Sequence, residues 1–202
     1  MRLLPYGDRA LLAELDPATV LPALDALRGL PGVDELVPGA RTLLIRFDPG
    51  RFEATLTGGV LTDLLADLVP APAGSGAGEP ISIPVRYDGP DLDLIADEAG
   101  CSVAAVVQRH TERVYSVAFC GFAPGFAYLT GLDETLWQPR LAEPRTAVPA
   151  GSVGIAGEFT GVYPRSSPGG WRLLGRTDAQ LWDLDRTPPA LLTPGARVRF
   201  VP

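Results

Sequence analysis

Apolar side chains recur along the chain in two rhythms, and the pattern changes near residue 70. Ala10 to Leu15 predicts a strand. Val20, Leu21, Leu24, Leu27 and Leu30 share one side of a 3.6-residue repeat and predict a helix, with Thr19 as its N-cap and Pro22 in its first turn, where no amide partner is lost. Val33 to Val37 and Arg41 to Phe47 predict a hairpin across Pro38-Gly39. Val60, Leu61, Leu64, Leu65 and Leu68 predict a second helix; Gly58 and Gly59 weaken its start by about 1 kcal/mol each relative to Ala. The order β-α-β-β-α describes a small α+β domain over residues 1–70.

The stretch PAPAGSGAGEP, Pro70 to Pro80, has no large apolar side chain and reads as a linker over 71–80. Beyond it, in 81–202, Ile81 to Tyr87 alternates as a strand. Two short helices follow, Leu92 to Ala99 stopping at Gly100 and a second from an N-cap at Ser102 to about Thr111. From Tyr115 onward come short apolar runs broken by Gly and Pro: YSVAF, FAYL, VGIAG, TGVY, WRLLG, AQLWDL and ARVRFV. Many short strands at this spacing predict a closed or nearly closed barrel.

Composition supports a folded, turn-rich protein. Of 202 residues 46% are hydrophobic and 20% charged, while 23 Gly and 21 Pro are too many for a helical bundle. The net charge of −7 sets nucleic acid and anionic membrane surfaces aside as partners. Every basic residue is Arg, which removes chemistries that need a lysine and favours planar, bidentate recognition of carboxylate or phosphate. Cys101, Cys120 and the single His110 cannot make a Cys/His zinc site or a triad needing a second histidine, so no metal site is expected in this chain. The N-terminus lacks a signal-peptide pattern and no apolar run is long enough to span a bilayer, so a cytoplasmic location is expected.

IADEAGCSVAAVVQRH has helix-turn-helix spacing, but acids crowd its first helix and two packed short helices explain it better. GSVGIAG has the wrong spacing for a dinucleotide fingerprint and no helix after it; turn and barrel-corner glycines are the default. His110, at a helix end, is read two ways, as a general acid/base or as a partner of the helix dipole. Arg140 and Arg145 each follow a proline in QPRLAEPR, so two rigidly presented guanidiniums form a candidate anion clamp, with surface ion pairs as the alternative.

The segment from His110 to Thr177 carries GFAPGFAYL, then PRLAEPRTAVPAGSV, then SPGGW. Together with YGDRALLAEL near the N-terminus and LLTPGARVRFVP at the C-terminus, it strongly resembles the 5-oxoprolinase B-subunit family, also named the kinase-inhibitor KipI family or allophanate hydrolase subunit 1. The resemblance implies a small N-terminal α+β domain followed by a cyclophilin-like β-barrel. It also implies direct assembly with a homologue of the 5-oxoprolinase C subunit, and cooperation with a homologue of the A subunit in the ATP-dependent opening of the 5-oxoproline lactam to glutamate. Inhibition of a sensor histidine kinase and an allophanate hydrolase-type role are the alternatives it carries.

Matched residue by residue, the motifs make His110 and Arg145 the candidate catalytic residues. Phe122, Pro124, Gly125, Tyr128, Arg140, Gly151, Ser152, Tyr163, Gly169, Gly170 and Trp171 become the candidate lining of a barrel-mouth pocket for a small-molecule substrate. A lactam is held by amide resonance, and ATP, with or without Mg²⁺, supplies a way to turn its oxygen into a leaving group. Arg140, Arg145 and the backbone amides at Gly151 and Ser152 are expected to supply part of the positive charge, and a partner chain the rest. Arg145→Lys is expected to impair turnover while leaving folding nearly unaffected.

Overall fold

The computed structural model describes residues 1–51, 59–75 and 78–202, in two compact units, Met1–Pro72 and Ala73–Pro202. In the first, β1 (Arg2–Pro5), β2 (Ala10–Glu14), β3 (Val33–Pro38) and β4 (Thr42–Phe47) form an antiparallel sheet in the order β1-β2-β4-β3. Strand alternation puts Ala13, Leu43 and Ile45 on one face. There they are buried with Val20, Leu24 and Leu27 of α1 (Pro17–Leu27) and with Leu61 and Leu65 of α2 (Val60–Ala66). β1 adds a strand that the sequence pattern did not predict, because four residues ending in proline are too short to show a period.

The helix start also differs from expectation. Asp16, not Thr19, is the N-cap: its carboxylate accepts from the Ala18 amide at 2.9 Å, and the Thr19 hydroxyl donates back to the Asp16 carbonyl. Pro17 then holds the first-turn position, so Pro22 falls inside the helix and cannot donate to the Ala18 carbonyl. The Ala71 amide takes that place at 2.9 Å, which offsets the lost helical bond. Gly59 precedes α2 with φ +97°; Gly58 lies outside the described residues.

In the second unit a curled half-barrel sheet runs in the order β12-β9-β10-β7-β6-β13-β5. Its strands are β5 (Ile81–Pro84), β6 (Tyr115–Cys120), β7 (Ala127–Thr130), β9 (Ser152–Ala156), β10 (Phe159–Val162), β12 (Arg172–Arg176) and β13 (Arg197–Val201). The edges β5 and β12 are tied just beyond β5, where the amides and carbonyls of Arg86 and Arg176 exchange hydrogen bonds of 2.8 and 2.9 Å. α3 (Leu92–Glu98) and α4 (Val103–Thr111) match expectation, with Ser102 capping α4 by accepting from the Ala105 amide. Their buried Leu92, Ile95, Ala96 and Val106 pack into the core rather than presenting a DNA-reading helix.

Two differences matter for the site. AQLWDL is not a strand and makes only a single bridge, Trp182 to Ala190. A two-stranded sheet, β8 (Arg145–Val148) with β11 (Ser167–Gly169), stands where the sequence pattern showed loops. Within the stretch read as a linker, the Gly74 amide donates to Ser116 Oγ at 2.7 Å, fixing that part of the chain to β6; residues 76–77 lie outside the described residues.

The two faces of the curled sheet carry different chemistry. Inward, Val117, Ala127, Leu129, Val153, Ile155, Val162, Leu174, Val198 and Phe200 join the helices in the main core. Outward, Tyr128, Phe159 and Leu173 belong to a separate layer with Phe126, Val148, Ala156, Tyr163 and Trp171. Gly161 makes room for it: a Cβ there would stand 3.2 Å from the Trp171 ring and 2.8 Å from the Ala127 carbonyl oxygen.

His110 belongs to the inner core. It is fully buried, stacked on Phe200 with ring centroids 4.5 Å apart; Nδ1 lies 2.7 Å from the Tyr87 hydroxyl and Nε2 2.9 Å from Thr160 Oγ1. Desolvation pushes its pKa down from 6.5 to about 3, so the ring is neutral. The unfolded chain takes up a proton near 6.5 that the native chain refuses. Stability is therefore full above that pH and falls as pH drops toward 3, by at most about 1.4 kcal/mol per pH unit. Urea midpoints measured between pH 7 and 4 are expected to fall accordingly, and His110→Gln, though less stable throughout, is expected to lose this part of the slope. At the sheet seam a Cβ on Gly175 would overlap the Arg86 carbonyl oxygen. Gly175→Ala is expected to destabilise the second unit by about 1–3 kcal/mol or more, read as a lowered melting temperature.

Candidate functional site

Three loops and one hairpin tip meet over the outer aromatic layer. GFAPGF, residues 121–126, leaves β6 and returns to β7 through a tight turn closed by Ala123 N to Gly121 O (2.7 Å) and Phe126 N to Ala123 O (2.9 Å). The turn forces Phe122 to φ +67°, the one non-glycine residue with positive φ among those described, at a cost of roughly 1–3 kcal/mol. Its ring is 59% exposed and rests edge-on against Phe126 and Tyr163. Pro124 is exposed at the turn, while Gly125 is buried against Leu181 and Trp182.

The second loop carries the arginine pair, and it is pinned from below. Gln138, 4% exposed, accepts from Arg172 Nη1 at 2.8 Å and donates to the Ile95 carbonyl at 2.8 Å. Arg172 also donates to the Pro139 carbonyl (3.0 Å) and pairs with Glu98 (2.8 Å), which balances a nearly buried guanidinium. On the backbone side the Gly157 amide donates to the Gln138 carbonyl (2.7 Å) and the Leu141 amide to the Gly170 carbonyl (2.7 Å). Between these anchors Arg140 is exposed and forms no side-chain hydrogen bond or ion pair among the described residues.

Arg145 differs. Its Nη2 donates to Asp91 Oδ1 at 2.7 Å, and the other Asp91 oxygen accepts from the Leu173 amide at 2.7 Å, so this guanidinium is largely engaged inside the protein. Burial raises the Tyr163 phenol above its ordinary range, opposed by a backbone hydrogen bond from Trp171 and by the positive charges of Arg140 and Arg145. The Tyr163 hydroxyl lies so close to Gly169 that a Cβ there would overlap it. Phe122, Tyr163, Arg140, Arg145, Gly169, Gly170 and the buried Trp171 are brought together here, with Tyr128 beside them on Phe126 and Trp171.

Other expected members lie apart from that cluster or are already occupied. His110 is in the inner core with both ring nitrogens bonded, where a substrate proton cannot reach it. The Gly151 amide donates to the Tyr163 carbonyl (2.8 Å) and the Ser152 amide to the Pro149 carbonyl (3.3 Å), so the expectation that these amides hold an anion is not met. Asp91, Gln138 and Arg172 were not foreseen. The signal for Arg172 was present: a charge in the apolar run WRLLG needs buried acceptors.

Beside the cluster, and sharing Arg140 with it, is an open cleft of about 530 Å³ lined by Trp137, Gln138, Pro139, Ala156, Gly157, Glu158 and Phe159 as well. Trp137 is 47% exposed; its Nε1 donates to the Leu132 carbonyl at 3.1 Å, which fixes the indole plane. Glu158 stands at the tip of the β9–β10 hairpin, after Gly157 at φ +57°. Because Asp91 is buried and Arg145 is its ion-pair partner among the described residues, Arg145→Ala is expected to destabilise the second unit by about 2–3 kcal/mol, with partial recovery in Arg145→Lys. Chemical denaturation checks this, and it revises the expectation that a lysine here would leave folding nearly unaffected.

Residues 1–192 match the family model of the carboxyltransferase domain, subdomains C and D. A protein of Escherichia coli O157:H7, named as the B subunit of 5-oxoprolinase, is 42% identical over 97% of this chain and 93% of its own length. The crystal structure of TTHA0988 is 38% identical with a TM-score of 0.75, covering 96% of this chain, which spans only 40% of that longer chain. A conserved uncharacterized protein, PH0987 from Pyrococcus horikoshii, is 38% identical with a TM-score of 0.60 over 97% of its length. The urea amidolyase of K. lactis, 22% identical with a TM-score of 0.69 over 99% of this chain and 14% of its own, shares the fold. On these sequence relationships, this chain belongs to the 5-oxoprolinase B-subunit family.

Proposed function

We propose that this chain is the B subunit of a cytoplasmic, ATP-dependent 5-oxoprolinase, opening the 5-oxoproline lactam to glutamate together with homologues of the C and A subunits. The observation that carries the reading is the near full-length identity to a protein named for that activity. We read the curled sheet as a cyclophilin-like barrel. Its role in this reading is binding, which fits a His110 held in the inner core among the described residues.

The geometry supports a division of labour. Arg140 offers a planar fork for a substrate carboxylate, on a loop whose preceding residues are held by the Gln138 and Arg172 contacts. The other donors expected to hold an anion are occupied: the Gly151 and Ser152 amides are committed internally and Arg145 is held by Asp91. ATP, with its Mg²⁺, therefore belongs on a partner chain in this reading, and no step through it is assigned to this one. The half-buried Phe119, Tyr128 and Phe159 beside the exposed Phe122 supply an aromatic patch of the kind that a C-subunit homologue would cover.

Reconstitution tests the proposal. The purified chain alone is expected to show no ATP-dependent release of glutamate from 5-oxoproline, and the mixture with A- and C-subunit homologues is expected to show it. Phe122→Ala is expected to weaken co-purification with the C-subunit homologue without lowering the melting temperature of the single chain. A reconstituted mixture that stays inactive, while the single chain suppresses autophosphorylation of a sensor kinase, would overturn the reading in favour of a regulatory protein.

A further inference from the structure

Arg140 and Glu158 are opposite charges lining one cleft, yet no ion pair joins them. Elsewhere on this unit neighbouring charges find each other: Arg113 pairs with Asp133, Arg145 with Asp91 and Arg176 with Asp88. Backbone restraint explains the exception. Arg140 is carried by the loop fixed at Gln138, Pro139 and Leu141, and Glu158 by a hairpin tip whose Gly157 amide is bonded to the Gln138 carbonyl. The two residues therefore sit on the two segments that the Gln138–Gly157 bridge joins, and both line the cleft together with Trp137 and Phe159.

Resting on the proposed function, we infer that this cleft seats the cyclic amide itself: Arg140 binds its carboxylate, Glu158 accepts its ring N–H, and Trp137 and Phe159 hold the flat ring. The chemistry matches group for group. A lactam carrying a carboxylate next to its nitrogen is a small planar ring with one anionic fork and one N–H donor side by side, and the cleft offers one cationic fork, one acceptor and apolar faces. Both walls are braced: the indole by its bond to the Leu132 carbonyl, the Phe159 ring by edge contacts to Phe119 and Tyr128 at 5.7 Å. The ring carbonyl, where the chemistry takes place, is left facing out of the open cleft toward a partner. Glu158, Trp137 and Phe159 thereby become specificity residues of this chain.

The test is steady-state kinetics of the reconstituted complex with 5-oxoproline, N-methyl-5-oxoproline and 2-pyrrolidinone, which keep both groups, lose the N–H and lose the carboxylate respectively. Arg140→Ala is expected to raise KM for 5-oxoproline roughly 10- to 100-fold with kcat changed little. Glu158→Ala is expected to raise it about 3- to 10-fold and to abolish the preference for 5-oxoproline over its N-methyl derivative. Unchanged KM in both variants of an active complex would overturn the inference and leave the function standing. Should the wild-type complex turn over no 5-oxoproline, the function reading fails, and titration of the single chain followed by Trp fluorescence decides the seat. Quenching by 5-oxoproline that is lost in Arg140→Ala supports the cleft as a lactam site, and no quenching overturns it.

Discussion

The side chain of Gln138 is the contact on which the site depends. It joins a strand guanidinium, Arg172, to a helix carbonyl, Ile95, while its backbone carbonyl holds the amide of Gly157 at a hairpin tip. One residue thus ties together α3, β12 and the β9–β10 hairpin, and Arg140 follows two positions later on the same loop. Removing Arg172 leaves the buried Gln138 amide oxygen without its partner, and removing Gln138 leaves the Arg172 guanidinium with Glu98 and the Pro139 carbonyl alone, each at a cost of about 1–3 kcal/mol. Such a node stabilises little in net terms, but it allows few arrangements. In the proposed role, a guanidinium that meets a planar carboxylate benefits more from that restriction than from extra stability.

The outer aromatic layer makes the same point with apolar groups. Trp171 lies over Gly154 and Gly161, and Phe126, Tyr128 and Tyr163 meet it edge to face at centroid distances of 5.3 to 6.4 Å. This layer seals the outside of a sheet whose inside is already filled, so the second unit has two packed faces, and its motif residues act mostly as a platform. Tyr128 and Phe159 are half-buried in it, and the most exposed rings stand at its margin: Phe122 on its left-handed turn and, beside Arg140, the half-exposed Trp137. Strain and exposure coincide at Phe122, whose ring gains only edge contacts to Phe126 and Tyr163 in return for its backbone conformation.

Much of this was legible in the sequence, and the failures have physical causes. Helix ends were readable where local side chains do the capping, as at Ser102, and misread at Asp16, where Pro17 competed with Pro22 for the first turn. The inner core followed from alternation along each strand, whereas β8 and β11 were hidden because RTAV and SPG carry no apolar period and pair only across a long loop. Among candidate site residues, motif membership located the Arg140, Tyr163 and Gly169 neighbourhood. It could not separate Arg140 from Arg145, since the distinguishing partner, Asp91, lies 54 residues away in sequence. His110 was ambiguous for the same reason: its partners Tyr87 and Thr160 come from distant strands and loops, and burial decides its role.

The central claim is that the loop presenting Arg140 is rigid because of Gln138, and amide hydrogen exchange tests it most directly. In the native chain the amides of Leu141 and Gly157, bonded to the Gly170 and Gln138 carbonyls, are expected to exchange slowly despite lying in loops near the surface. In Gln138→Ala both are expected to lose most of that protection while the amides of β6, β7 and β13 keep theirs, since none of those strands supplies a hydrogen bond to the node. Unchanged protection at Leu141 and Gly157 in the variant would contradict the account.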